Sequence, residues 1–139
     1  MKRFLLAVLA VFVARSVLDF VIHGVILQSA YAATPALWRP MAEMNMAAMY
    51  AVTLTVALAF TAIYALVVDR KSMAAALTYG LLYGIATGVS MGFGTYLTMP
   101  VPLRLAVTWC LGSLVESLVA AALLGAILRP AAAASGNQA

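Results

Sequence analysis

Long apolar stretches, separated by short polar or proline-containing segments, dominate the pattern of hydrophobic and polar positions along this chain. Each stretch reaches or exceeds the roughly 20 residues that a helix needs to cross the hydrocarbon core of a bilayer. None of them alternates with the period that is typical of transmembrane barrel strands. The pattern predicts four membrane-spanning helices, over about residues 4–28, 41–68, 73–98 and 103–128.

The connections between the stretches are short and carry residues that end or begin helices. Pro35 and Pro40 follow the first stretch, a segment "MPVP" separates the last two, and Ser72 is placed to cap the third helix. Short connections make consecutive helices antiparallel neighbours. We therefore predict an all-α fold, an antiparallel four-helix membrane bundle formed by a single domain over residues 1–129, and a disordered tail over residues 130–139.

Composition supports the membrane class. Of the 139 residues, 66% are hydrophobic and only 9% are charged, whereas a soluble domain carries roughly 25% charged residues. The spans leave no room for a separate soluble domain. The net charge of +4 comes from scattered basic residues, so it does not indicate nucleic-acid binding. A lone cysteine, Cys110, excludes an internal disulfide.

The distribution of basic residues predicts the orientation of the spans, because loops on the cytoplasmic side carry an excess of Lys and Arg. Two basic residues, Arg39 and Arg104, lie on one side of the predicted bundle. The other side carries five, namely Lys2, Arg3, Arg70, Lys71 and Arg129. We therefore expect both termini in the cytoplasm.

The first stretch carries a polar stripe. Arg15, Asp19 and His23 follow one another at intervals of four, which places them on one helix face over about 12 Å. A charge at mid-helix costs about 2.5–3.5 kcal/mol on insertion scales, so it needs a partner. Glu116 lies at the middle of the fourth stretch, at a matching depth.

We predict an interior salt bridge between Arg15 and Glu116, because an arginine and a glutamate at one depth can neutralise each other. Arginine offers a fork of donors, so Asp19 is expected to share the same guanidinium. His23 is expected to bond to Asp19, one turn away. The cluster has two interpretations, a buried network that sets helix register and a proton or ion relay. A site completed by another subunit is a third.

The third and fourth stretches carry small residues at every fourth position, which favours close packing of two helices in lipid. In the third stretch these are Gly80, Gly84, Gly88 and Gly92. In the fourth they are Ser113, Ser117, Ala121 and Gly125. We predict that the two helices press together along these faces. The alternative is a groove that admits a flat ligand or a partner helix.

Methionines concentrate in the outer half of the predicted bundle, together with the single histidine. Thioether and imidazole suit Cu(I) and haem iron, so His23, Met44 and Met49 are weak candidate ligands. Methionine is also a flexible filler of apolar gaps, and packing is the favoured interpretation. We therefore predict no cofactor and no metal site, with haem or copper as a minor alternative.

The stretches "HGVILQSAYAATPALWRP" and "GIATGVSMGFGTYLTMP" resemble those of small four-span bacterial membrane proteins to which no activity is assigned. The resemblance implies a multi-pass protein of the bacterial inner membrane and no particular chemistry. Small multidrug transporters also have four short spans with an acid in the first. This chain pairs that acid with Arg15 and His23, so we do not carry over their function.

Three functions remain open at the level of sequence. The favoured one is a non-enzymatic accessory or assembly subunit, or a scaffold. The chain shows no phosphate loop, zinc spacing or nucleophilic triad, and its helix faces are rich in small residues. Its expected partners are the lipid bilayer and other membrane helices, in a homo-oligomer or a larger complex. The second is a small transporter or proton-coupled permeation unit that uses Arg15, Asp19, His23 and Glu116. The third is haem or copper binding in the outer half.

Overall fold

The structure, a computed structural model, describes residues 1–128, and the predicted disordered tail at 130–139 lies outside them. Within this range the chain is helical and has no strand, which confirms the predicted all-α class. The α-helices are α1 (Lys2–Asp19), α2 (Gln28–Ala32), α3 (Met46–Val67), α4 (Met73–Val89), α5 (Thr95–Thr98) and α6 (Leu103–Leu128). Two π-helical turns, Phe20–Ile26 and Ser90–Gly94, continue α1 and α4 without a break.

Four helical stretches are long and apolar enough to cross a membrane, namely Lys2–Ile26, Met46–Val67, Met73–Thr98 and Leu103–Leu128. Many of their large apolar side chains point away from the protein. Leu66 is 83% exposed and Leu97 is 81% exposed, for example. Such surfaces are costly in water but suit contact with acyl chains. The structure therefore has the helices that a multi-pass membrane protein requires.

The second long helix begins later than the predicted residue 41. Asn45 has an extended backbone, and its side-chain oxygen accepts a hydrogen bond of 3.0 Å from the backbone N–H of Ala48. This is the geometry of an N-cap, so α3 begins at Met46. The residues before it form a separate 3₁₀ turn, Met41–Glu43, which follows Pro40. The third and fourth long helices have the predicted bounds, and Ser72 caps α4 as predicted.

The long helices form a ring, since α6 packs against both α4 and α1, and α1 also packs against α3. Aromatic side chains close the ring between α3 and α4. The ring of Phe60 lies 4.6 Å from that of Tyr79 and 4.9 Å from that of Tyr83, centroid to centroid. The hydroxyl of Tyr79 also donates to the carbonyl oxygen of Phe60 at 3.0 Å.

The core has two parts. The terminal half, in which α1 begins and α6 ends, is centred on Ala7, Val11, Ala57, Phe60, Tyr64, Ala76, Ala120, Ala121 and Leu124. The cap half, at the opposite end, is centred on Ile22, Leu27, Val101 and Leu105. Segment 28–38, which we call the cap segment, packs against the cap half through Tyr31, Leu37 and Trp38.

The glycines of α4 lie against α6, as predicted. A Cβ added to Gly80 would lie 2.4 Å from the Cβ of Ala121, and one added to Gly88 would lie 2.7 Å from the carbonyl oxygen of Cys110. Only glycine permits this approach, which brings Cα–H groups of α4 towards carbonyl oxygens of α6.

All the α6 residues of the predicted small face take part in this contact. Ser117 and Ala121 lie at Gly80, and the hydroxyl of Ser113 lies 2.9 Å from that of Thr87. Gly125 lies against Met73 and Ala76. Because α6 occupies the groove, it leaves no room there for a flat ligand or a partner helix.

Candidate functional site

The cap half contains a cavity of about 380 Å³ between α1, α6 and the turn that ends α4. Eight of its eleven lining residues have ionisable or hydrogen-bonding side chains, namely Arg15, Asp19, His23, Tyr31, Thr95, Trp109, Ser113 and Glu116. The remaining lining residues are Ile22, Met91 and Gly112. The cavity thus contains the whole polar cluster that the sequence singles out.

An ion pair forms one wall of the cavity. The Nη2 atom of Arg15 donates to the Oε2 atom of Glu116 at 2.8 Å, and the two side chains are 13% and 6% exposed. The structure thus contains the predicted salt bridge. It joins α1 to α6 at mid-height, where each charge compensates the other in a medium of low dielectric constant. The second terminal nitrogen of Arg15, Nη1, is buried and has no hydrogen-bond partner within the described chain.

Asp19 does not share the guanidinium of Arg15, so that prediction is wrong. Among residues 1–128 no ion pair joins Asp19 to Arg15, and the Asp19 carboxyl group lies instead within hydrogen-bonding reach of Glu116. Two carboxyl groups in contact repel each other when both are ionised.

His23 also has a different partner from the predicted Asp19. Its Nδ1 atom lies 2.6 Å from the hydroxyl oxygen of Tyr31, and the two rings are nearly parallel, with an interplanar angle of 11°. The reason is the π-helical turn Phe20–Ile26, which begins directly after Asp19. Its wider turns change the direction of His23 relative to a regular α-helix, where residues four apart lie above one another.

Both π-helical turns of the described chain border the cavity. The first supplies Ile22 and His23, and the second supplies Met91. The backbone N–H of Leu27 closes the first turn with a bond of 2.9 Å to the carbonyl oxygen of Ile22. Single π turns inside helices occur frequently at functional sites. A glycine occurs in each turn, but the sequence pattern gives no other sign of them.

The cap segment borders the cavity through Tyr31. The Nε1 atom of Trp109 donates to the hydroxyl oxygen of Tyr31 at 2.8 Å, which ties the cap segment to α6. Within the segment, Trp38 donates to Thr34 at 2.9 Å, and its ring meets that of Trp109 edge to face. Burial raises the pKa of the Tyr31 hydroxyl above its usual value, although the bond from Trp109 opposes the shift. Tyr31 is therefore neutral at physiological pH.

Tyr31 and Trp109 are site residues that the sequence reasoning missed. A signal for Trp109 was present in α6, because Trp109, Ser113 and Glu116 recur at helical spacing and so share a face. The role of Tyr31 depends on how the cap segment folds back, which no local pattern predicts.

The cavity is open to the surroundings. Met91 is 65% exposed and His23 is also exposed, and both border it. Its lining includes no residue of α3. The first turns of α3 are themselves exposed, for example Met49 at 52% and Val52 at 64%. A small molecule therefore has a route to the ionisable groups without passing through packed side chains.

The remaining candidate residues lie elsewhere or lack the partners that a metal needs. Within residues 1–128 no three His, Cys, Asp or Glu side chains are grouped so that they could hold a metal ion. The lining of the cavity includes neither Met44 nor Met49, so these two do not join His23 there. The haem or copper alternative therefore gains no support from this geometry.

No protein-family model, curated protein or solved structure matches the chain. The resemblance to small four-span bacterial membrane proteins stays a prediction.

Proposed function

We propose that this chain is a small transport protein of the bacterial inner membrane, in which the cavity binds a solute and the Asp19–Glu116 pair couples its movement to a proton. The proposal places the four long helices across the bilayer as an antiparallel bundle, with both termini in the cytoplasm. The apolar length of the four helices and the excess of basic residues at the terminal end support that orientation.

The observation that carries the proposal is an open space beside buried ionisable groups. A network that served only to hold helices together would be filled by its own side chains, since protein interiors are close-packed. Here about 380 Å³ remains between Arg15, Asp19, Glu116 and the aromatic residues. Small-molecule sites have volumes of about 300–1,000 Å³. Ionisable residues within membrane helices commonly mark substrate and proton pathways.

The contact between the carboxyl groups of Asp19 and Glu116 is what would couple solute binding to proton binding. In the proposed mechanism one proton is bound at this pair when the cavity is empty, because two adjacent carboxylates would repel each other. A charged solute that enters changes the field at the pair and so changes its affinity for that proton. Binding of solute and binding of proton are then linked, which is the requirement for coupled transport.

The accessory-subunit role draws less support from the geometry. One of the two observations that favour this role is the small-residue faces of the third and fourth helices, and these faces pack against each other within the chain. They are therefore not available to a foreign helix. The role of a non-enzymatic assembly partner stays a prediction, and it would be favoured if no solute moved protons through the purified protein.

The test uses the purified protein in liposomes that enclose a pH-sensitive dye and maintain a pH gradient. Solutes are added one class at a time, namely metal cations, organic cations, amino acids and monocarboxylates. We expect one class to change the internal pH in wild-type vesicles, and we expect the change to disappear in Asp19→Asn and Glu116→Gln. Asp69→Asn is the matched control, since Asp69 is exposed in the turn between α3 and α4. An equal response in wild type and both cavity variants would contradict the proposal.

A further inference from the structure

The charge of the cavity determines which solutes it favours. The positive charge of Arg15 is matched by Glu116 at 2.8 Å. Asp19 has no cationic partner among the described residues that line the cavity. Arg15 therefore balances one of the two carboxyl groups, and the cavity has an unbalanced negative charge when both are ionised. A cation is attracted to such a site, whereas an anion is repelled by it.

The position of Arg15 argues further against an anionic ligand. One terminal nitrogen of its guanidinium is occupied by Glu116. The other, Nη1, is buried and so does not face the open part of the cavity. An anion would have to displace Glu116 to reach a donor. A cation requires no such rearrangement, because the carboxyl group of Asp19 already borders the cavity.

The aromatic lining favours an organic cation over a metal ion. The rings of Tyr31, Trp109 and His23 border the cavity, and aromatic faces attract ammonium groups. A metal ion needs several oxygen, nitrogen or sulfur ligands, and no group of three suitable side chains occurs within residues 1–128. The volume of about 380 Å³ accommodates roughly a dozen non-hydrogen atoms, at about 30 Å³ for each water-sized group.

We propose that the cavity binds a small organic cation, with its ammonium group beside Asp19 and against the rings of Tyr31 and Trp109. The cation replaces the proton shared by Asp19 and Glu116, so one positive charge enters as one leaves. This inference rests on the transport function proposed above and names its substrate class. The chemistry that is recognised is an ammonium group with an apolar substituent, whether it belongs to a free solute or to a lipid headgroup.

Benzyltrimethylammonium is a suitable probe, because it has about this size and a permanent charge, and its binding to the detergent-solubilised protein is measurable by titration calorimetry. We expect Asp19→Asn to weaken binding about tenfold or more, since the half-buried charged partner of the cation is lost. Asp69→Asn should bind like wild type. Phenylmethanesulfonate, an anion of similar shape, should not bind. Equal affinity of wild type and Asp19→Asn, or binding of the sulfonate, would overturn the inference.

The aromatic walls are tested by two pairs of variants. Trp109→Leu and Tyr31→Leu should each weaken binding about threefold to thirtyfold, which is the range that cation–π contacts provide. Trp109→Phe and Tyr31→Phe keep an aromatic face and should restore most of the affinity. A loss that is the same in the leucine and phenylalanine variants would contradict a cation–π site, and circular dichroism identifies any variant that has not folded.

Proton exchange is tested by repeating the titration in buffers of different ionisation enthalpy. The charged or titratable groups facing Asp19 are Arg15 and His23 on its own helical stretch, Glu116 on α6 and Tyr31 on the cap segment. We expect binding to release a proton and to weaken as the pH falls, because the proton competes with the cation. His23→Gln should still release the proton and Glu116→Gln should not. If proton release is lost in His23→Gln and retained in Glu116→Gln, the proposed exchange of the cation for the proton is overturned.

The outcomes separate this inference from the proposed function. If amino acids or monocarboxylates move protons through the vesicles and the probe does not bind, the transport function stands and the cation class is wrong. If the probe binds through Asp19 but moves no protons in vesicles, the cation site stands and transport is wrong. Displacement of the probe by a short-chain phosphatidylcholine, and not by the corresponding phosphatidylglycerol, would assign the ammonium group to a lipid headgroup.

Discussion

The terminal half and the cap half of this molecule are built from the same four long helices but pack them differently. In the terminal half, glycine and alanine bring α4 and α6 together, and large aromatic rings fill the wider space between α3 and α4. In the cap half the helices continue through π-helical turns, and a polar cavity remains between them. One half is filled by its own side chains, and the other is open.

Away from the helix ends, the charged residues of the long helices lie in the half where the helices pack less closely. In lipid, apolar burial gives little drive for association, so close backbone contact and hydrogen bonds hold helices together. The terminal half meets this need with small residues and needs no buried charge. The cap half contains the Arg15–Glu116 pair and the Asp19 carboxyl group. Charges that were needed only for packing would be expected where packing is closest, and they are not.

The largest expected effect tests whether the ion pair holds the cap half together. Glu116→Leu removes one partner of a buried pair and leaves Arg15 uncompensated, so we expect about 3–5 kcal/mol of destabilisation. The double variant Arg15→Met, Glu116→Leu removes both charges and should regain most of the lost stability. Unfolding in mixed micelles, followed by circular dichroism, measures both effects. If the double variant is no more stable than Glu116→Leu, the loss of stability does not come from leaving the charge of Arg15 unpaired.

The four apolar helices and the ion pair followed from the sequence because both depend on regular helical geometry. Length and hydropathy define the spans, and two opposite charges at matching depths have few other partners. The contact between the glycines and α6 also follows from a repeated spacing. Each of these features depends on residues that recur at a fixed spacing, and such residues lie on one face of a helix.

The details of the cavity could not be predicted from the sequence, because they depend on departures from regular helical geometry. The π-helical turn after Asp19 moves His23 to Tyr31, and nothing in the sequence other than Gly24 marks it. The predicted start of α3 is too early because Met41–Glu43 continues the apolar pattern. In the structure Asn45 caps α3, which begins at Met46. The path of the cap segment depends on long-range contacts with Trp109.

A smaller effect tests the close packing of the terminal half. In Gly80→Ala the new Cβ would lie 2.4 Å from the Cβ of Ala121 and 2.7 Å from the carbonyl oxygen of Ser117, so the two helices must separate. Overpacking of this kind costs typically about 1–3 kcal/mol. Gly94→Ala is the control, since no atom lies within 4 Å of an added Cβ there. Equal unfolding temperatures for the two variants would show that the contact with α6 contributes nothing to stability.

The smallest expected effect tests whether the Tyr31 hydroxyl holds the cap segment in place. Tyr31→Phe removes the hydroxyl that joins Trp109 and His23, at a cost of about 0.5–1.5 kcal/mol for each hydrogen bond. We expect this loss to be local, because the ring still packs against Trp38. Hydrogen exchange of residues 28–38 should therefore become faster, while that of α4 and α6 in the terminal half stays unchanged.

The ionisation of the Tyr31 hydroxyl should determine how the cap segment responds to alkaline pH. Burial raises the pKa of Tyr31 in the folded protein, so folding favours its protonated form. The associated stability is fully present below the usual tyrosine pKa, near 10, and is lost as the pH rises through the raised value. Hydrogen exchange of the cap segment should thus accelerate at alkaline pH beyond its intrinsic increase in wild type and in Tyr96→Phe, which keeps Tyr31. In Tyr31→Phe that extra acceleration should be absent, and its persistence would assign the alkaline opening to another group.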